Sequence, residues 1–310
     1  MSERKLNAVE IALLEKIAEM KNGMADGAYN VRLDSGCADR VNTENIQIIT
    51  KEDKPGIDIR IAPGCKETCH IPVIITKSGL QEKVYNDFFI GEGADVTIVA
   101  GCGIHNCGAA KSEHSGVHTF YIGKNAKVKY TEKHYGEGEG TGENVMNPET
   151  VVYMEEGSQL QMDTVQIAGI DSTRRDTRIV CGKEAEVVVT ERLLTHGKQW
   201  ADSDMEIILD GEDSKGRVIS RSVAQDESYQ RFKPRVVGNA KCFGHVQCDS
   251  IIMGNARIAS VPEIEANHID AQLVHEAAIG RIAGDQLLKL QTLGLTAEEA
   301  EDRILKGFLA

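Results

Sequence analysis

The sequence predicts a mainly β chain wound as a solenoid. Short β-branched and apolar runs recur from about Ile46 to Val274, one turn pattern returns between them, and helical periodicity is confined to the two ends. The turns GADVTI, KNAKVKY, EGSQLQM, KEAEVVV, GNAKCFGHV and GNARIAS carry small residues at Ala94, Ala126, Ser158, Ala185, Ala240 and Ala256. The first two steps between them are 32 residues each and the next is 27. A loose repeat with two short strands per unit buries its apolar face only by stacking on its neighbours. A β-sandwich also has many short strands, but a recurring turn is not one of its features.

Taken in order, residues 1–44 form an N-terminal helical region. Leu6, Val9, Ile11, Leu13, Leu14, Ile17 and Met20 fall mostly three or four apart within 5–21, which predicts a helix with one apolar stripe. Its charged character marks an amphipathic helix rather than a signal peptide. A loop rich in Gly, Asn and Asp follows, over about 22–42. Residues 45–274 form the strand core; many runs, such as IDIRIAP and KVKYTE, alternate apolar with polar as half-buried strands do. Residues 275–310 read as two short helices. Gly294 ends the first, Thr296 with Glu299 makes a capping box for the second, and Gly307 suits its C-terminal end. Leu287, Leu288, Leu290, Leu293, Leu295, Ile304, Leu305 and Phe308 give this pair an apolar excess that packs on the core or docks a partner.

Composition excludes several functions. The formal net charge of −13 and the 5% aromatic content argue against nucleic acid, which needs clustered Lys/Arg or stacking platforms. No run approaches the ~20 apolar residues that span a bilayer. Cytoplasmic location is therefore expected, and the eight cysteines are read as thiols rather than disulfides. No Gly-Lys-Ser/Thr phosphate loop occurs, and the glycine run GEGEGTG (136–142) interleaves glutamates that would repel phosphate, so it reads as a flexible, solvated loop.

Candidate chemistry centres on cysteine. Cys65, Cys69 and His70, and Cys102, His105 and Cys107, have spacings a metal site can use, but neither is the tight pair of strong zinc signatures, so buried or idle thiols are expected. Cys181 ends the run TRIVC and reads as a core strand residue. Cys242 and Cys248 bracket His245, with Glu263, Glu265, His268, His275 and Glu276 downstream. A thiolate, an imidazole and a carboxylate at one sheet edge can ligate iron.

The segment QCDSIIMGNARIASVPEIEANHIDAQLVHEAAIGRIAGDQLLKLQTLGLTAEEAEDRILKGF resembles the C-terminal signature of the SufB/SufD family of iron–sulfur cluster assembly proteins. It carries QCDS, the A-Q-L-x-H-E-A segment, D-Q-L, L-G-L-T-x-E-E-A and a terminal K-G-F. DVTIVAGCG and HTFYIGKNAKVKY resemble the family's middle, so the likeness runs from about residue 45 to 310. The extended N-terminal region of typical SufB proteins has no counterpart, which suggests a short form.

The resemblance implies a right-handed parallel β-helix core with small helical regions at both ends. It implies a scaffold, not an enzyme, holding a transient iron–sulfur cluster. The partner would be the ABC-type ATPase SufC, docked on the C-terminal helices and alone handling ATP, with a sulfur donor such as a cysteine desulfurase. On matching positions, Cys248 is the cluster ligand and sulfur acceptor, Glu276 a ligand, and His275 the histidine important in SufD-like members. Cys181 lies near the family's sulfur-receiving cysteine but about three residues off, Cys102 matches the E-G-C cysteine, and Cys242 is a further thiol. Having both His275 and Glu276 makes the chain SufB-like and favours a homodimer. The alternatives are a SufD-like structural partner without a cluster and a β-helix enzyme on carbohydrate. The second expects a ladder of aspartates, whereas the acids here lie mostly in turns.

Overall fold

The computed structural model describes residues 6–309. The outermost residues of the predicted end regions, 1–5 and 310, lie outside the described residues. Strands make up 57% of the protein and wind into a solenoid of about eight turns, as the repeats predict. Successive coils add strands alternately to two facing sheets, whose pairing is parallel apart from one hairpin at the start of each.

The recurring turn is a column of buried small residues. Register places the residues before Asp95, Lys127, Gln159, Glu186 and Lys215 in line, namely Ala94, Ala126, Ser158, Ala185 and Ser214, all fully buried. Each backbone N–H bonds the carbonyl three residues back. The residue before each has positive φ: Gly93, Asn125, Gly157, Glu184 and Asp213. A left-handed residue followed by a small side chain is what a tight turn between stacked coils requires. Two predicted members belong elsewhere. Cys242, not Ala240, is in line with Ser214. Ala256 lies in the other sheet's turn column beside Ser228, because Tyr229 pairs with Arg257.

Inside the coils the two halves of each strand differ. One column of the first sheet runs Ile98, Tyr130, Met162, Val189, Val218 and Val246, and belongs to the main apolar core. The next inward column runs Ala100, Glu132, Thr164, Glu191, Ser220 and Cys248. The interior is therefore apolar along one side and polar along the other. Aromatic stacking between coils reinforces the apolar side, with the Phe88 and Phe120 rings 4.2 Å apart.

The N-terminal end is closed. The residues predicted as a 22–42 loop instead form the antiparallel strands Ala28–Leu33 and Gly36–Val41, and Ile46–Thr50 pairs antiparallel with Gly56–Ile61. Helix α1 (Ala8–Ala18) is shorter than the predicted 5–21. An Asn7–Glu10 capping box starts it, and left-handed Glu19 stops it. Its Leu13, Leu14 and Ile17 cover Ile74 and Val99 on the outer face of the first sheet. The contact is close enough that a Cβ on Gly101 would stand 2.3 Å from the Ile17 carbonyl oxygen.

The C-terminal end is open. Strand Gln272–Gly280 runs through the boundary predicted at 274, because its residues pair with Phe243–Ile251 of the previous coil. Apart from part-buried Leu273 and His275 and the turn residue Ala271, it is exposed. Helices α2 (Gly284–Thr292) and α3 (Ala297–Leu309) follow. Gly294 adopts φ +97 and Thr296 and Glu299 exchange both capping hydrogen bonds, as expected. Helix α3 continues past Gly307 to Leu309, since a lone glycine lowers helix propensity by only about 1 kcal/mol. Ala300 and Leu305 are buried, whereas Leu288 and Leu293 are exposed.

Candidate functional site

Cys248 lies on strand Cys242–Ile252, at the end of the polar column, and is almost completely buried. Its register partner on the last strand is Ala277; His275 is one inward position before that. The Cys248 Sγ is 3.4 Å from His275 Nε2. His275 continues the column Val218–Val246, so a histidine replaces valine where the apolar side reaches the open end. Burial pushes the Cys248 thiol up to about 11, with the Ser260 hydroxyl working the other way. Burial, and then the neighbouring His245, hold His275 below its ordinary value. The resting pair is therefore a neutral thiol beside a neutral imidazole. That imidazole can take a proton or offer a lone pair to a metal.

The other predicted residues are not gathered with this pair. Glu276 follows His275 on a strand and so points to the opposite face. Its carboxylate is exposed and lies 3.6 Å from His245 Nε2. Glu263 and Glu265 pair with Lys233 and Arg235 on the outer surface. His268 accepts the backbone N–H of Asp270 in a turn. Cys181 is fully buried, 3.9 Å from the Met154 sulfur, and burial raises it to about 12. Cys242 and Cys65 are buried next to turns, Cys242 in register with Ser214. Cys69 is in the main core, raised to about 12 by burial, and Cys102 sits in a small cluster with Val73, Ile75 and Ile104. Cys107 is exposed. Cys65, Cys69, Cys102 and Cys107 thus make no common centre. Among the described residues no group of three His, Cys, Asp or Glu could hold a metal ion.

Sequence reasoning missed the polar file that leads to Cys248. Arg175 bonds Glu132 at 2.8 Å and lies 3.7 Å from Glu191. Ser203 donates to Glu191 at 2.9 Å, and Ser220 contacts it at 3.5 Å. Burial opposes the Glu132 charge, but His134 and Arg175 outweigh it and hold this carboxyl well below the carboxylate range. The available signal was parity: Glu132, Arg175 and Glu191 fall on inward positions of alternating strands.

Comparison with known proteins agrees with the earlier likeness. Residues 78–308 match the family described as SUF system FeS cluster assembly, SufBD core domain. The chain is similar to an iron-sulfur cluster assembly SufBD family protein of Archaeoglobus fulgidus, 28% identical over 263 residues, 83% of this chain and 69% of that protein. A protein of the same description from Methanothermobacter thermautotrophicus is 26% identical over 261 residues, covering 82% and 62%. Another, from Methanocaldococcus jannaschii, is 28% identical over 246 residues, covering 79% and 77%. The aligned part spans 62% to 77% of the length of these relatives.

Proposed function

From the premise that this chain belongs to the SufBD family of iron–sulfur cluster assembly proteins, we propose that it is a scaffold subunit on which a nascent cluster is built and released. The observation that carries the reading is the Cys248–His275 contact of 3.4 Å at the uncovered end of the solenoid. A thiolate is a strong, soft iron ligand, and the imidazole offers a second donor. Iron displaces the thiol proton on binding, because only the thiolate ligates. Glu276, on the other face, is placed to meet a ligand from outside the chain rather than the Cys248 centre of its own.

Two ligands make half a site. A second copy of the chain, meeting this one across the last strand, supplies the other half, so a homodimer is part of the proposal. Such incomplete, mixed ligation suits release of the cluster; an electron carrier holds its cluster with four thiolates. The exposed Leu288 and Leu293 of the α2–α3 pair are the proposed seat of a SufC-type ATPase, which would hydrolyse the ATP. A cysteine desulfurase is the proposed sulfur source and the cytoplasm the proposed location.

The test is anaerobic reconstitution with iron and sulfide, read by absorption, on Cys248→Ser beside Cys242→Ser and Cys181→Ser. Cys248→Ser is expected to fold normally and lose the cluster, since serine is a far weaker iron ligand. Cluster retained in Cys248→Ser and lost in another variant would identify the wrong thiol. No cluster in the unsubstituted protein would favour a structural partner subunit instead.

A further inference from the structure

A second thiol, remote from the Cys248 pair, sits in a relay outside the proposed cluster site. Cys107 is exposed, and its Sγ lies 3.0 Å from His105 Nε2. The other ring nitrogen, Nδ1, is 3.2 Å from Glu137 Oε1. His105 and Glu137 end adjacent strands in direct register, which fixes the imidazole against the carboxylate. The second oxygen of Glu137 accepts from Lys16 of α1 at 2.8 Å, and Lys16 also donates to the Tyr135 hydroxyl at 2.9 Å. Burial works against the Glu137 charge, but Lys16 outweighs it and holds the carboxyl below its ordinary range. The strand carrying His105 lies five strands from that carrying Cys248 in the same sheet, roughly 24 Å at the usual strand spacing.

The glycine run 136–142, expected to be a flexible loop, builds this place. Gly140 and Gly142 donate backbone hydrogen bonds to Asn106 and Gly108, laying the run against the turn that carries Cys107. A Cβ on Gly138, Gly140 or Gly142 would stand 2.1 to 2.3 Å from the carbonyl oxygens of Asn106, Gly108 and Ala110. The alternating glycines are therefore a packing requirement of the Cys107 turn.

The imidazole stands between thiol and carboxylate, with a different nitrogen turned to each. This order cannot chelate one ion with all three groups. It is the order of a nucleophile, its base and the group that orients the base. We infer that Cys107 is a base-assisted nucleophilic thiol whose substrates are the S–S bonds of low-molecular-weight disulfides. His105 Nε2 takes the thiol proton, and Glu137 is a positioning residue that accepts from Nδ1 and balances the imidazolium. The Cys107 sulfur attacks one sulfur of the disulfide. A new S–S bond forms, the old one breaks, and the released thiolate takes the proton from His105. No net oxidation occurs, and a thiol in excess reverses the step.

The folded protein contains its own control. Cys37 is also exposed, but its thiol contacts the Asn30 side chain at 3.4 Å and no imidazole. The full chain is incubated with oxidised glutathione and, separately, with iodoacetamide, and modification of each cysteine is followed by peptide mass. Cys107 is expected to form the glutathione adduct at least about a hundredfold faster than Cys37, the low end of what a positioned base supplies. Dithiothreitol should remove the adduct. His105→Gln should bring the two rates together, and Glu137→Gln should give an intermediate ratio. Equal rates for Cys107 and Cys37 in the unsubstituted protein overturn the proposal without any variant. An unchanged ratio in His105→Gln removes the base, and rapid alkylation without a glutathione adduct removes the disulfide as substrate class.

Discussion

At its N-terminal end the solenoid is sealed: each sheet begins with an antiparallel pair, α1 covers the outer face, and stacked Phe88 and Phe120 fill the interior. At its C-terminal end the same coil stops without a lid, and Ala277 and Ile279 of the last strand, in register with Cys248 and Ser250, remain exposed. Both ends follow one coil geometry, so the difference lies in what terminates the stack. An unpaired strand edge is normally blunted or covered. Leaving one open beside a buried thiol and an imidazole fits a surface meant to be completed from outside.

The largest expected effect tests that contrast directly. Phe120→Ala, in the sealed interior, should lower the unfolding free energy by about 3–5 kcal/mol, as large-to-small aromatic changes in cores do. Leu273→Ala, on the partly buried last strand, should cost roughly 1–2 kcal/mol, since part of its side chain stays in water. Denaturant unfolding of both variants reads the difference. Equal losses would mean that the last strand is as well buried in solution as the first coils, which a tight dimer through that edge would produce at high protein concentration.

A smaller effect separates the ends by pH. His118 is buried between Tyr130 and Asn86, and burial lowers it to about 4. The folded state therefore binds fewer protons than the unfolded chain between 6.5 and about 4, so stability is present above 6.5 and lost as pH falls through that window. The loss is on the order of 3 kcal/mol. Glu82, although burial opposes its charge, is held down to about 2 by His114 and Arg32. Its contribution is present above 4.5 and lost as pH falls toward 2. Amide hydrogen exchange followed by peptide should show the coils around His118 and Glu82 losing protection on acidification. If the strand Cys242–Ile252 loses it first, the assignment of acid lability to the sealed half is wrong.

The smallest effect concerns Glu276. Its exposed approach to His245 is worth well under 1 kcal/mol to folding, as solvent-facing ion pairs are. Glu276→Gln should leave the unfolding midpoint in place and reduce, without abolishing, the cluster content after reconstitution. A large stability loss would show that Glu276 is part of the chain's own packing rather than a group held out toward a partner.

Strand existence and the turn spacing were legible because period-two alternation and a small residue after a left-handed turn are local requirements. The antiparallel strands at 28–41 were not legible, since their Gly, Asn and Asp content matches that of a loop; Ala28–Leu33 is a strand through pairing with Thr68–Ile75, and Gly36–Val41 through pairing with Ala28–Leu33. The Cys248 region was legible through motif resemblance. Its separation from Glu276 follows from strand parity once residues 272–280 are known to be a strand rather than part of a helical tail. The column assignment of Ala256 failed because the repeat has two turns per coil, one for each sheet, and both use small residues; that of Ala240 failed because Cys242, two residues on in the same turn, takes the column position.

The sequence by itself determined the solenoid, its N-terminal helix, its C-terminal helical pair and the residue types at the open end. Only the tertiary structure decided which side chains share a column. Coil length varies, so register partners stand 32 residues apart at Asn86 and His118 but 29 apart at Cys248 and Ala277. Backbone hydrogen bonds between coils set that register, and a shift of one residue would turn every side chain to the other face. The Cys248–His275 contact, the Glu132–Arg175–Glu191 file and the Cys107–His105–Glu137 relay all depend on it.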